Sequence, residues 1–485
     1  VPALSRLHEW VATTDHKKLG VMYVTAGLLF FMIAGLEASL SYAAQDDILE
    51  LKADTTRTGP FGGDIRITLK NALKGTGPRP FEIVSDEMTL DLTPMFEAPL
   101  TVSAVTGDGL VELTERGLRE TNVEFQYGEA VFRSALDITL TEDRQPGEPR
   151  ILGVVELETE GVLPRETVLA FWPVKLGESA RSFTATRIEG TEVTDIRGRI
   201  ELSRDSLADG HLRDDDLNLT FNVTDGRVQF LDDLPPVEKA AGRGRLTGNS
   251  FRVLVDSAEY GGWVVDEGLV DFPAFNPRGE DFRVFAKGHG PAENIIRVLN
   301  ESRLELDFDA ERLSGQSEIT YEMFRPALED VPFEDVRFSA VGTLQEGGLK
   351  NAALGLDLTE AVAKINVDQG GIVITGQGSV GPSPIQFTWR DSFSDDEDAP
   401  SVLTANVVIN PDVLNRFGLP GRAYLTGEIP TDIQATIDGE SVTVPDGGTV
   451  LLGGFRSLNE LNYESTVVGS EVKTFHRNLI SDPPC

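Results

Sequence analysis

Cysteine is almost absent from this chain: of 485 residues only Cys485, the last, carries a thiol. An internal disulfide framework and a cysteine-ligated metal site are both excluded. Histidine is nearly as scarce, and His8, His16, His211, His289 and His476 are scattered without HExxH or comparable ligand spacing. There is no GxSxG nucleophile elbow and no phosphate-cradling P-loop. The spacing Gly242-x-Gly244-x-x-x-Gly248 is not a dinucleotide fingerprint, and it precedes a strand pattern rather than a helix. Glu259, Asp266 and Glu267 flank a Gly-Gly turn and could pose as paired acid–base carboxylates, but in a chain with 79 carboxylates such pairs arise by chance. The expectation is a protein that is not an enzyme, with no catalytic, cofactor-binding or metal-binding residues.

Positive charge is the next shortage. Lys and Arg total 43 against 79 for Asp and Glu, a net charge of −36. Such a chain is repelled by nucleic acid and by anionic lipid surfaces, so nucleic acid is excluded as a partner. The same charge keeps a large β surface soluble and its edges unpaired.

Only one long apolar run exists. Leu19 to Leu36 carries no charged residue, and Ala38 to Ala44 extends it. Arg6, Lys17 and Lys18 precede it, and Glu37, Asp46, Asp47 and Glu50 follow. At ~1.5 Å per residue the run is about long enough to cross ~30 Å of hydrocarbon. Basic flanks stay cytoplasmic, so the N-terminus is expected inside and the chain after about residue 45 outside. A cleaved signal peptide is the rival reading, since Tyr42-Ala43-Ala44 supplies small residues; the run exceeds the usual apolar core of such signals. Trp10, near His8 and Tyr23, is placed to sit at a membrane interface.

What the chain has in abundance is alternation. Ile65 to Lys70, Met88 to Leu92, Leu217 to Val223 and Leu354 to Leu358 each put aliphatics on one face and polar residues on the other. That is the mark of antiparallel strands with one wet face. Turns are expected at Gly107-Asp108-Gly109, Asp225-Gly226, Gly261-Gly262, Glu346-Gly347-Gly348 and Asp438-Gly439. Helical pattern is confined to Ala292 to Asn300 and Pro411 to Phe417, and Asp395 to Asp398 reads as a solvated loop. No strict repeat appears, but Gly242 to Val253 followed by Gly261 to Val270 suggests one sheet extended by meanders. A one-faced sheet must hide its apolar side, either as a sandwich or as a gutter that shelters something else. Periodicity does not separate the two. Trp172, Trp263 and Trp389 lie in strand-like contexts, where aromatics plug core gaps or cap a groove end.

Several stretches carry a family resemblance. They are Phe171-Trp172-Pro173, Ala180-Arg181 and Ile188 to Val193; then Val228-Gln229-Phe230 with Leu234-Pro235-Pro236-Val237 and Gly242 to Gly248. Further on come Pro384 to Arg390, Leu414 to Leu419 and Tyr424 to Gly427. Their order and spacing over about residues 50–440 resemble the AsmA-like superfamily, specifically its envelope-spanning members related to YhdP. The resemblance implies a mainly β fold: an elongated, curled antiparallel sheet forming a groove, with one N-terminal transmembrane helix. It implies a tail and anchor over 1–45, two parts of the β-groove over 46–235 and 236–440, and a C-terminal hairpin and tail over 441–485. It also implies a single-pass protein of the bacterial inner membrane, its N-terminus cytoplasmic and its bulk periplasmic. The implied role is phospholipid transport or outer-membrane lipid homeostasis, with the inner membrane engaged through Leu19–Leu36 and a partner at the outer membrane. An apolar gutter shelters acyl chains at ~0.8 kcal/mol per buried CH₂; no individual lipid-binding residue is singled out. The alternative is an envelope scaffold or assembly factor that binds no lipid.

Two shorter resemblances accompany it. Leu7 to Gly20, Met22-Tyr23, Phe30-Phe31 and Ala34 to Ala38 resemble the first membrane helix of haem–copper (cytochrome c) oxidase subunit I. That family's metal-binding histidines lie on later membrane helices, which this sequence lacks, so a truncated or fused oxidase subunit without catalytic residues is the second alternative. Val442 to Gly454 resembles a hairpin of bacterial secretins, although Pro445-Asp446-Gly447-Gly448 suits any hairpin. Three resemblances in one chain raise the reading of a natural fusion or a composite.

Overall fold

The computed structural model describes the chain from residue 40 onward, apart from residues 46–47, 56–60, 72–76, 92, 94–95, 113–116, 141–150, 173, 175–177, 203–212, 231–233, 302–307, 329–330, 354–355, 394–400, 410–428, 439–440, 444–448, 452–462, 469–470 and 477–485. The expected anchor Leu19–Leu36, Trp10 and the helix expected at Pro411–Phe417 lie outside the described residues. Among the described residues no helix is long and apolar enough to cross a membrane. The chain divides into two units. The first runs to Phe230 and adds Pro236–Ala258 and Val270–Glu280; the second takes Leu231–Pro235, Glu259–Leu269 and Asp281 onward.

The first unit is an antiparallel meander. Its strands are β1 (Leu40–Gln45), β2 (Ile48–Thr55), β3 (Phe61–Lys70), β4 (Arg79–Leu90), β5 (Leu100–Glu112), β6 (Gly117–Tyr127), β7 (Ala130–Leu140) and β8 (Ile151–Glu160). The chain then leaves the sheet through β9 (Leu163–Pro164), helices α1 (Arg165–Phe171) and α2 (Glu178–Arg187), and β10 (Ile188–Glu189). It returns as β11 (Glu192–Leu202), which pairs with β8, followed by β12 (Leu217–Val228), β13 (Val237–Thr247) and β14 (Phe251–Tyr260). Residues 40–45, the end of the apolar run, thus form a strand paired with β2.

The apolar face of this unit is packed shut. Ile65, Phe81, Ile83, Val102, Val105, Leu118, Leu136, Ile138 and Val155 form one buried cluster. Phe171 at the end of α1 touches it and stacks on Phe132 at 4.6 Å and edge-on against Tyr127 at 5.0 Å. A second cluster joins Ala130, Phe132 and Leu163 to Val168 and Phe171. Arg181 of α2 ties the helical excursion down, donating to the Leu169 and Trp172 carbonyls and pairing with Glu97 at 2.6 Å.

The second unit holds β16 (Asp281–Pro291), α3 (Ala292–Glu301), β17 (Leu313–Pro326), β18 (Arg337–Ala353), β19 (Leu356–Asp368), β20 (Gly371–Val380), β21 (Ser383–Ser392), β22 (Ser401–Ile409), β23 (Ile429–Asp438) and β24 (Ser441–Thr443). Ahead of it in sequence comes β15 (Trp263–Phe272). β16 to β24 form another antiparallel meander. β25 (Thr449–Leu451), β26 (Tyr463–Val468) and β27 (Glu471–His476) make a separate small sheet. The fold is therefore mainly β, large and open, and its strands are antiparallel, as the alternation predicts.

Two expectations are corrected. The described residues of 442–454 do not pair with each other as the expected hairpin: β24 pairs with β23, and β25 pairs with β26 in the other sheet. Three of the five expected turns are not turns either. Gly107 to Gly109 lies within β5, Asp225-Gly226 within β12, and Glu346 to Gly348 within β18. Each marks a shift of register between neighbouring strands. Ala104, Glu120, Asp195, Asp225, Glu346 and Glu360 sit at such shifts with φ between 46° and 54°. An extra left-handed residue in one strand of a pair bends it and increases its twist, which curls the sheets. Gly261-Gly262 is a true turn, its φ values of 55° and 81° open to glycine.

Candidate functional site

Residues directly opposite each other in a ladder share a face, so the register of the second unit reads out its surface row by row. One row runs Gly288, Ile319, Gly342, Ile365, Ile374, Trp389 and Leu403 across seven strands. The next runs Gly290, Ser317, Leu344, Ala363, Gly376, Phe387 and Ala405. Ala286, Tyr321, Ala340, Val367 and Ile372 make a third. Six steps of ~4.8 Å make the apolar track roughly 29 Å long. The opposite face is charged: Lys287–Glu318 at 2.9 Å, Arg283–Glu322 at 2.7 Å and His289–Asp266 at 2.8 Å.

This apolar face is covered differently from that of the first unit. Among the described residues of the second unit, the buried apolar side chains are Leu356, Val407 and alanines such as Ala361, Ala363 and Ala405. The large ones, Ile319, Tyr321, Met323, Ile365, Ile374, Phe387, Trp389 and Leu403, are half-buried and keep a minor part of their surface exposed. Large groups lean over glycines of the adjoining strand. A Cβ on Gly376 would lie 2.7 Å from Phe387 Cζ, one on Gly290 2.7 Å from Trp263 Cδ1, and one on Gly342 2.9 Å from Ile319 Cγ1. The rings therefore lie down and pave the sheet instead of standing on it. Both indoles are pinned by their N–H, Trp263 to the Pro291 carbonyl at 3.2 Å and Trp389 to Ser401 Oγ at 2.5 Å. With those donors satisfied, only their apolar surface faces outward. The Tyr321 phenol is pushed above its ordinary pKa by burial. At one end α3 sits beside the Gly261-Gly262 turn, Asn294 donating to the Gly262 carbonyl at 3.1 Å.

The first unit carries its depressions on the polar side. One of about 1060 Å³ is lined by Glu124, Arg133, Glu156, Glu158, Arg197 and Arg199 among others. Arg133 bridges Glu124 at 2.7 Å and Glu160 at 2.8 Å, and those hydrogen bonds hold its guanidinium above the usual range.

Of the residues singled out from sequence, Trp263 and Trp389 come together on one apolar face, whereas Trp172 caps α1 of the first unit. Asp266 pairs with His289 on the charged face. Helix α3 falls where the apolar spacing of Ile295, Ile296 and Leu299 predicts it. Helices α1 and α2, and the glycine–aromatic pairs, escape sequence reading. Only the register, which brings Gly376 opposite Phe387, reveals the latter.

A family profile described as YhdP protein matches residues 70–446, well over half of the chain. No curated protein and no solved structure matches it. The resemblances of residues 5–38 to an oxidase subunit and of 442–454 to a secretin, and with them the composite reading, are not borne out; the family match itself reaches residue 446. The stretches from Phe171 to Gly427 and most strands of the antiparallel sheets, β4 to β24, lie within that match, and the chain belongs to the YhdP protein family.

Proposed function

We propose that this protein shelters phospholipid acyl chains on the apolar face of its second unit and assists lipid movement in the bacterial envelope, without catalysis. Membership of the YhdP family supports an envelope-associated, lipid-transport-related role. The observation that carries the finer reading is the half-buried apolar row Ile319, Ile365, Ile374, Trp389, Leu403, which runs across neighbouring strands and keeps part of its surface exposed. A tail covering about ten CH₂ groups gains about 8 kcal/mol gross. Lost motional freedom removes several kcal/mol of this, leaving a site that binds and releases. A track of roughly 29 Å exceeds the ~15 Å that one leaflet of a ~30 Å hydrocarbon core spans, so a whole tail fits across the strands. Leu19–Leu36 serves as the tether to the inner membrane, and lipid is exchanged between that membrane and a partner at the outer membrane. The closed core of the first unit favours a framing role for that unit.

The test is solvent extraction of the purified full chain followed by lipid mass spectrometry. Phospholipid in near-stoichiometric amount is the expected result. Lipid-free protein that also fails to take up added phospholipid defeats the proposal and leaves the scaffold.

A further inference from the structure

The acidic balance of the chain is reversed at one place on the polar side of the first unit. A depression of about 540 Å³ is lined by Arg197, Arg243, Arg245 and Arg252, with Asp195 as the lone carboxylate among its lining residues. Its volume is that of a small-ligand site. Register explains how the cations meet. Arg197 on β11 and Arg245 on β13 both lie opposite Thr220 of β12, and Arg243 is two residues from Arg245 on the same face. Arg252 comes from β14. Like charges gathered on neighbouring strands are destabilising unless something neutralises them.

Three of the four are neutralised from outside the depression. Arg197 pairs with Glu158 at 3.1 Å, Arg243 with Asp256 at 3.1 Å, and Arg252 with Asp271 at 2.6 Å. Arg245 is different: its Nε donates to the neutral Asn218 Oδ1 at 2.9 Å, and among the described residues it has no carboxylate partner. Asp195 is already engaged, accepting from Asn222 Nδ2 at 2.8 Å and Thr194 Oγ1 at 3.2 Å. The two terminal amino groups of Arg245 are thus left for a ligand, in the planar fork that fits two oxygens of one anion. Leu254, 43 % exposed, lies at the same wall and offers an apolar contact beside the charge.

We propose that this depression binds a phosphate group through Arg245, assisted by the remaining donors of Arg243 and Arg197. The phosphate comes either as a free ion or as the head group of an amphiphile whose first methylenes rest on Leu254. The site is separate from the apolar face of the second unit and does not depend on the acyl-chain reading.

The test is calorimetric titration of the full chain with inorganic phosphate and, separately, with soluble dihexanoyl phosphatidic acid. Saturable binding that weakens with added salt is expected. Arg245→Gln, an exposed change that leaves the melting curve in place, lowers affinity at least tenfold, whereas Arg245→Lys, which keeps the charge and loses the fork, retains part of it. Phosphatidic acid binding more than tenfold tighter than phosphate, with the gap closed by Leu254→Ser, assigns the head group; equal affinities assign the free ion. No binding of either probe, or binding by Arg245→Gln as strong as by the unaltered chain, overturns the proposal.

Discussion

Replacing Gly376 by alanine tests the paved face at one contact. The new methyl group would stand 2.7 Å from Phe387 Cζ, 2.9 Å from the Val362 carbonyl oxygen and 3.0 Å from Ala363 Cβ. Ordinary carbon–carbon contact is ~3.5–4.0 Å, so the ring must withdraw by roughly 1 Å or tilt up out of the sheet. Overpacking of this kind costs ~1–3 kcal/mol. In a unit of roughly 150–250 residues that lowers the melting temperature by about 2–4 °C per kcal/mol. Phe387→Leu removes the ring and opens the space. The double variant therefore recovers the share due to the ring and keeps the share due to the Val362 carbonyl, which gives a coupling of ~0.5–3 kcal/mol in a thermal-denaturation cycle. Strict additivity of the two single changes would refute the idea that the ring lies over the glycine.

Matched truncations separate the two units. Ile138→Ala, at a side chain with 0 % exposure, costs ~2–5 kcal/mol of stability, while Ile374→Ala on the half-buried apolar face costs less than half of that and instead weakens acyl-chain binding; equal losses in both assays contradict the contrast. At the bulge of β19, Glu360 has φ 54°, a conformation that costs a non-glycine residue roughly 1–2 kcal/mol. Glu360→Gly is therefore neutral or stabilising in denaturant melts and Glu360→Val clearly destabilising, and the reverse order disproves the bulge geometry. Burial raises the Tyr321 phenol, so its folded pKa lies above the unfolded value of about 10. That contribution is present below the unfolded pKa and is lost as pH rises through the folded one. Phenolate absorbance should show a late-titrating tyrosine that disappears in Tyr321→Phe, and an unchanged titration in that variant counts against the placement.

The strands were legible because period two survives along them: Ile65 to Lys70 lies in β3 and Leu217 to Val223 in β12. The bulges were not, because the residues that take positive φ include Ala104, Glu120 and Glu360, which carry no local signal for it. The nearby glycines read as turns, yet Gly107 serves close approach: a Cβ there would meet Ile83 Cγ2 at 2.8 Å. Helix α2 reads Glu-Ser-Ala-Arg-Ser-Phe-Thr-Ala-Thr-Arg and has no apolar stripe to betray it. α1 is only seven residues long. The difference between a closed and an open apolar face was equally hidden. Both units alternate in the same way, and out-of-sheet residues help to close the first: α1 delivers Phe171 to Phe132 and Tyr127, and Phe96, between β4 and β5, packs with Leu100 and Tyr127.

The central claim, that the second unit keeps an apolar face available to hydrocarbon, is tested most directly by quenching of tryptophan emission with phospholipid brominated along its acyl chain. Two of the four tryptophans, Trp263 and Trp389, lie on that face. Saturable quenching in the unaltered chain that is lost in Trp263→Phe/Trp389→Phe is the predicted result. Absence of quenching, or quenching of the same depth in the double variant, contradicts it.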